Sequence, residues 1–264
     1  MARGELDQET LKAIDAKLPD LRPLFRVRAH TPTCVSIVLG PQAKIRAAVA
    51  AVCLNDTFDG IAEARFAAHE ALACVLWYRE RSPKAPNEPA AVFFGRFYLT
   101  AAASSLYAAA EHAAEVIIEM LQIDREKLTG TRSRSLQSRV AEYLTNRMPT
   151  HVISERVRSL GDSDEWRRAI DLRNRWVHDQ PPTMAGHGVV YRRVERWKIV
   201  DDGRGGIADE LSFGGGDEPE YCLDDVLDFV LRALARFAEF FGALVAEFEA
   251  LLTRSLGTWA TADN

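Results

Sequence analysis

The sequence predicts an all-α protein, a helical bundle carrying a small β-hairpin or ordered-loop insertion. Three observations support that class. First, residues 221–255 hold a heptad seam in which Leu223, Leu227, Val230, Leu234, Phe237, Phe241, Leu244, Phe248 and Leu251 step by four and three in alternation. That spacing is the mark of a helix packed lengthwise. Val226, Phe240, Val245 and Leu252 widen the seam, so the helix meets more than one neighbour. Second, residues 90–121 read as another long helix, and its middle, 100–110, is mostly alanine, serine and threonine. Small residues let a second helix approach closely, so this one belongs at the centre. Third, helical periodicity fails over 179–220. There 189–200 is rich in β-branched and aromatic residues, glycines at 203, 205 and 206 make a turn, and 207–213 can return as a second strand. The expected organisation is a single helical domain over 1–264. Its N-terminal segment, 1–40, is irregular, its core helices lie in 90–178 and 221–256, and 179–220 is a basic insertion.

Residues 5–18 suit a short amphipathic helix stopped at Pro19, and Pro23 and Pro32 break up the next stretch. Val35–Leu39 is a short strand or a buried turn. Residues 42–54 and 60–81 read as two helices, the second with Ile61, Ala64, Ala68, Leu72, Val75 and Leu76 on one side. His69 and Glu70 on that helix are either a catalytic pair or, more simply, a histidine satisfied within the helix. A proline-rich loop spans 82–89, and 124–134 is a polar, basic loop. Helices are expected over 135–147, 152–160 and 164–178.

Composition narrows the function classes. At 47% hydrophobic and 27% charged, the chain can bury a core and is not a disordered tail. The first residues, Met-Ala-Arg-Gly-Glu-Leu-Asp, contain no apolar leader core, and no apolar run reaches the roughly 18 residues that a membrane span needs. Cys34, Cys53, Cys74 and Cys222 are scattered without metal-ligand spacing and read as reduced thiols. A cytoplasmic protein with no membrane partner, no metal and no cofactor is the expectation. The net charge of −5 argues against binding nucleic acid over the whole surface. Charge is nonetheless segregated. Residues 132–198 carry +6 (14 basic, 8 acidic), while 1–131 carry −1 and 199–264 carry −10. The basic third suits a phosphate-bearing ligand; its arginines can equally solvate helix faces.

That third contains the stretch on which function turns, 164–182. Ser163 or Asp162 can cap a helix there, Asp164 and Glu165 put negative charge on its first turn, and Pro181 and Pro182 end it. Trp166, Ile170 and Val177 share an apolar stripe with Ala169 and Trp176 beside it, and Arg173 falls in its middle. A guanidinium among apolar groups needs an anion. Glu111 and Glu115, stacked with Tyr107 at intervals of four on the central helix, can supply it by direct pairing. Alternatively Glu111 and His112 line a site that Arg173 faces, with Tyr107 supporting it, or they form a solvated polar edge. Asn174 and His178 lie on a more polar face. Arg173 and His178 diverge by roughly 140° on a straight helix. Either the chain bends at His178, or a second subunit completes the site.

The segment Arg173-Asn174-Arg175-Trp176-Val177-His178 resembles the Arg-x(4–6)-His motif of HEPN domains, including the asparagine often found after the arginine. The resemblance covers about 20 residues by motif, and the rest of the chain by helical class alone. It implies a HEPN-like helical core, a homodimer, an RNA substrate and metal-independent ribonuclease activity. A toxin or phage-defence role would be built on that activity.

In that chemistry a histidine moves protons and an always-charged arginine holds the phosphate through two parallel hydrogen bonds. His178 and Arg173 supply these groups, and Asn174 can orient the ribose, the phosphate or the ring. In a twofold dimer two such sets would converge to provide both an acid and a base. Arg175, and Arg192, Arg193 and Arg196 of the insertion, are candidate substrate contacts. Asp179 can tune His178, or equally cap or solvate. The other reading is a non-catalytic nucleotide- or protein-binding HEPN-like module, for instance one partnered by a nucleotidyltransferase antitoxin. In that toxin group a tyrosine often lies two residues after the motif histidine. Here the position is Gln180, which departs from the pattern.

Overall fold

In the computed structural model the chain begins with helix α1 (Gln8–Asp15), a 3-10 turn (Arg22–Ala29) and two long helices, α2 (Pro41–Arg81) and α3 (Pro89–Met120). Then come three shorter helices: α4 (Leu136–Arg147), α5 (Val152–Asp162) and α6 (Asp164–His178). Short strands β1 (Val189–Tyr191), β2 (Ile199–Val200), β3 (Gly206–Ile207) and β4 (Leu211–Phe213) precede the last helix, α7 (Leu223–Ala260). The structure describes residues 6–29, 41–81, 89–128, 135–178, 182–186, 189–191, 199–200, 206–207, 211–213 and 219–260.

Helices α2 and α3 form the spine. Gly60 faces Ser105 and Ala109, while Gly95 faces Val75, so the two run antiparallel. A Cβ placed on Gly60 would lie 2.9 Å from the Ala109 Cβ and 3.2 Å from the Ser105 carbonyl oxygen. Within the small-residue middle expected of α3, Ala102, Ala103, Ala109 and Ala110 lie in the core, and Ala113 and Ala114 continue that face. Near backbones of this kind are possible only where side chains are minimal.

The sequence suggests two helices over 42–81; the structure has one. The polar residues at 55–57 do not interrupt it, because they bond to the helix's own carbonyls. Asn55 Nδ2 donates to the Ala51 oxygen at 2.8 Å and Thr57 Oγ1 to the Cys53 oxygen at 2.7 Å. Leu54, Phe58 and Ile61 carry the buried stripe through the same stretch.

The N-terminal segment is more regular than expected where it is described. Asp7 caps α1, its carboxylate accepting from the Thr10 amide at 2.7 Å. Leu18, Leu21, Leu24 and Val27 are buried at intervals of three, the period of a 3-10 turn. Val35–Leu39 lies outside the described residues.

Helix α7 runs along the bundle as its seam predicts, burying Leu223, Val226, Val230, Leu234, Phe237, Phe241, Leu244, Val245 and Phe248. Its Phe237 ring stacks on Trp166 of α6, with centroids 5.2 Å apart. Between α6 and α7, β1 pairs antiparallel with β4 and β2 with β3. The Ala185 amide donates to the Tyr221 oxygen at 2.9 Å, which draws the two ends of this stretch together. Among the described residues no helix is long and apolar enough to cross a membrane.

Helix α3 ends in a left-handed turn. Gln122 has φ of 53°, and the Ile123 amide reaches back to the Ile118 oxygen at 2.9 Å while its side chain is buried. Glycine is the residue best suited to that conformation. Gln122→Gly is therefore expected to raise stability by about 0.5–1 kcal/mol, read as a higher denaturation midpoint at unchanged slope. Conversely, Gly60→Val should wedge α2 from α3 and lower stability by about 1–3 kcal/mol, seen as a drop in Tm.

Candidate active site

Local contacts fix α6 along its length. Ser163 is the cap: its Oγ accepts from the Trp166 amide at 3.3 Å and donates to the Leu160 oxygen at 2.9 Å. Glu165 pairs with Arg236 of α7 at 3.1 Å. The Arg96 guanidinium of α3 lies 4.5 Å from the centre of the Trp176 ring. The buried face is Trp166, Ala169 and Leu172, rather than the expected stripe ending at Val177, which is 50% exposed. Packing of Trp166 against Phe237 turns the helix so that Arg173 lies at the edge of the buried face, half-buried.

Arg173 and His178 meet within one chain, and α6 stays helical through His178. Arg173 Nη1 donates to Asn174 Oδ1 at 3.0 Å and lies 3.3 Å from His178 Nε2. The guanidinium carbon is 4.1 Å from the centre of the Tyr107 ring. The two side chains meet without a bend or a second subunit, because the roughly 140° between them describes Cβ directions only. The long arginine side chain folds along the helix and closes the gap. A guanidinium can only donate, so in this contact Nε2 takes the acceptor role.

No carboxylate pairs with Arg173 among the described residues. Both candidate partners are engaged elsewhere. The Glu111 oxygens accept from the Leu136 and Gln137 amides at 2.9 and 3.2 Å, satisfying the first turn of α4. Glu115 binds Arg125, which also lies 3.5 Å from Glu119. Glu111 therefore does not face Arg173, and neither it nor His112 is on the wall of the site. Instead, Glu111 holds the helix that forms the opposite wall.

That wall and α6 enclose an open groove of about 650 Å³. Ser135, Gln137 and Ser138 line it from the start of α4, Tyr107 from α3, and Arg167, Asp171, Arg173, Asn174 and His178 from α6. Arg167 is not among the residues expected from the motif, although its spacing marks it: Arg167, Asp171, Asn174 and His178 fall at i, i+4, i+7 and i+11, one helical face. Arg167 lies 3.9 Å from Asp164, which is itself exposed.

Arg175, expected to contact substrate, points away. Its Nη2 donates to Glu220 Oε1 at 2.9 Å, tying α6 to the segment before α7. Asp179, Arg192, Arg193 and Arg196 lie outside the described residues. Among the described residues no group of three or more histidines, cysteines, aspartates and glutamates could hold a metal ion. His69 and Glu70 do not belong to this groove. Comparison of the chain with family models, curated proteins and solved structures finds no match.

The Arg175 hydrogen bond holds the Glu220 carboxyl below the ordinary glutamate range, and the same contact raises Arg175. A depressed folded-state pKa stabilises above the unfolded value, and the gain is lost as pH falls through the folded value. Glu220→Gln should therefore lower Tm slightly at neutral pH, and the difference from the parent chain should close on acidification. Thermal unfolding across the acid range measures it.

Proposed function

We propose that the chain is a metal-independent endoribonuclease of HEPN type that works as a homodimer. One observation carries the reading: an arginine with no carboxylate partner among the described residues, placed over the Tyr107 ring, donates to a histidine Nε2 on the wall of an open groove. An RNA phosphate entering that groove would draw the guanidinium into two parallel hydrogen bonds. The lone pair on Nε2, until then occupied by Arg173, would become free to take the 2′-hydroxyl proton. The 2′-oxygen then attacks phosphorus and the 5′-oxygen leaves, giving a 2′,3′-cyclic phosphate and a 5′-hydroxyl. The leaving oxygen needs a proton, which the partner copy's equivalent of His178 would supply from its protonated, imidazolium form, the two rings exchanging roles as base and acid. Arg173 offsets the charge that builds on the phosphoryl oxygens, and Asn174 fixes the guanidinium.

Arg167 supports a substrate longer than one linkage. It stands six residues before Arg173, about 9 Å along the helix axis, far enough to meet a neighbouring phosphate of a single strand. Exposed Val177 beside His178, and exposed Phe93 and Phe97 on α3, support a second copy covering this end of the molecule. A toxin or phage-defence role in the cytoplasm would be built on the activity. Because Gln180 stands where the related toxins often have tyrosine, control by modification of that tyrosine is not part of the proposal.

Cleavage of single-stranded RNA in EDTA should fall about 10²–10³-fold in Arg173→Ala and in His178→Ala, with circular dichroism and Tm unchanged. Arg173→Lys should recover little, because an ammonium cannot form the fork or lie flat on Tyr107. Arg167→Ala should weaken binding and reduce its salt dependence. Cleavage that survives both alanine variants would end the proposal. Salt-dependent RNA binding without cleavage would leave the non-catalytic module.

A further inference from the structure

A smaller cavity, of about 150 Å³, lies beside the Arg173 groove, among α3, α4, α5, α6 and α7. The two share Gln137, Ser138, Gly161 and Trp166 as walls. The floor of the smaller one is apolar: Ala110, Ala113 and Ala114 of α3 and Phe237 of α7 are all buried. Ser138 and Gly161, both exposed, stand on the common rim.

Two features of that rim are not demanded by packing. Gly161 lies within helix α5, where glycine weakens the helix relative to alanine. Its backbone is helical, and a Cβ built on it would meet nothing within 4 Å. Neither strain nor a close neighbour requires glycine there; its effect is to leave the rim clear. Gln137 is the second feature. Its main-chain amide donates to Glu111 at 3.2 Å, whereas its side-chain amide has no partner among the described residues. That carboxamide sets a donor and an acceptor side by side at the boundary between groove and cavity.

Volume and polarity select the occupant. An apolar cavity of roughly 150 Å³ stays dry and holds one aromatic ring, such as benzene. A purine adds a second ring and carries hydrogen-bonding nitrogens on both long edges, some of which would be stranded against alanine and phenylalanine. A pyrimidine has one polar edge and one apolar edge of two C–H groups. With the apolar edge toward α3 and Phe237, its polar edge meets Gln137. The carboxamide turns one way for the amino group and N3 of cytosine, and the other way for the N3–H and carbonyl of uracil. Unstacked bases of single-stranded RNA are read in this manner, against aromatic surfaces and along the pairing edge.

We propose that this cavity receives a pyrimidine base of the strand lying in the Arg173 groove. The inference rests on the reading of that groove as an RNA site. Titration of the ¹⁵N-labelled full chain with uridine 5′-monophosphate should give a saturable response at residues 137–141, 157–161 and the Trp166 indole N–H. Guanosine 5′-monophosphate should bind about tenfold or more weakly. Gln137→Leu should weaken uridine 5′-monophosphate about tenfold and leave guanosine 5′-monophosphate little changed. Gly161→Leu, at an exposed position with room for the side chain, should obstruct the rim and remove the preference, with Tm confirming the fold. Cleavage mapped on a mixed-sequence single-stranded RNA should fall beside pyrimidines, and Gly161→Leu should scatter it. Pyrimidine-selective binding without cleavage would uphold this inference and remove the nuclease reading. Cleavage indifferent to the base, with both nucleotides bound alike, would do the reverse. Absence of a saturable response at millimolar uridine 5′-monophosphate would overturn the inference, as would a preference untouched by both substitutions.

Discussion

The close approach of α2 and α3 at Gly60 is the constraint from which the site inherits its geometry. With the Ala109 methyl 2.9 Å from where a Gly60 Cβ would stand, the two backbones approach more closely than any larger side chain at position 60 would allow. Tyr107 and Glu111 flank this contact on α3, and each positions one wall of the groove. The Tyr107 ring supports the Arg173 guanidinium, and the Glu111 carboxylate receives the first amides of α4. Two side chains one turn apart thus refer both walls to the least deformable part of the bundle.

Arginine does two different jobs in the molecule. Arg79 is bidentate to Asp224, Arg175 pairs with Glu220 and Arg236 with Glu165; each ties neighbouring segments together. Exposed pairs of this kind contribute little to stability singly, but they fix which side chains remain available. Arg173 is set apart because its partners are an amide oxygen, an aromatic face and an imidazole nitrogen. None of these neutralises its charge, so among the described residues no contacting group cancels the field it presents to the groove.

Much of the helical architecture is legible in the sequence, because burial along a long helix writes its period into the residues. The α7 seam and the small-residue middle of α3 lie where the pattern puts them, and the short helices from 135 to 178 keep their limits to within two residues. The rest escapes for local reasons. Asn55 and Thr57 look like breakers until their side chains are seen bonding to the helix's own carbonyls. Glu111 looks like a partner for arginine, since a sequence does not reveal that a distant helix start needs an acceptor. The candidate site is half legible. Arg173, Asn174, His178 and Tyr107 come together. Arg175 is engaged by Glu220, and Arg167 lies outside the motif spacing, on a longer face that the motif does not mark. The convergence of Arg173 and His178 cannot be read from wheel angles, which ignore the reach of a flexible side chain.

That convergence lies within a single polypeptide, between residues five apart on one helix. The pair therefore exists in every copy as soon as α6 has formed, and dilution does not dismantle it. A second copy can shelter it or add another proton donor, but association is not what creates it. Keeping the molecules apart would withhold a second proton donor but leave the pair itself standing; only obstruction of the groove reaches the pair directly.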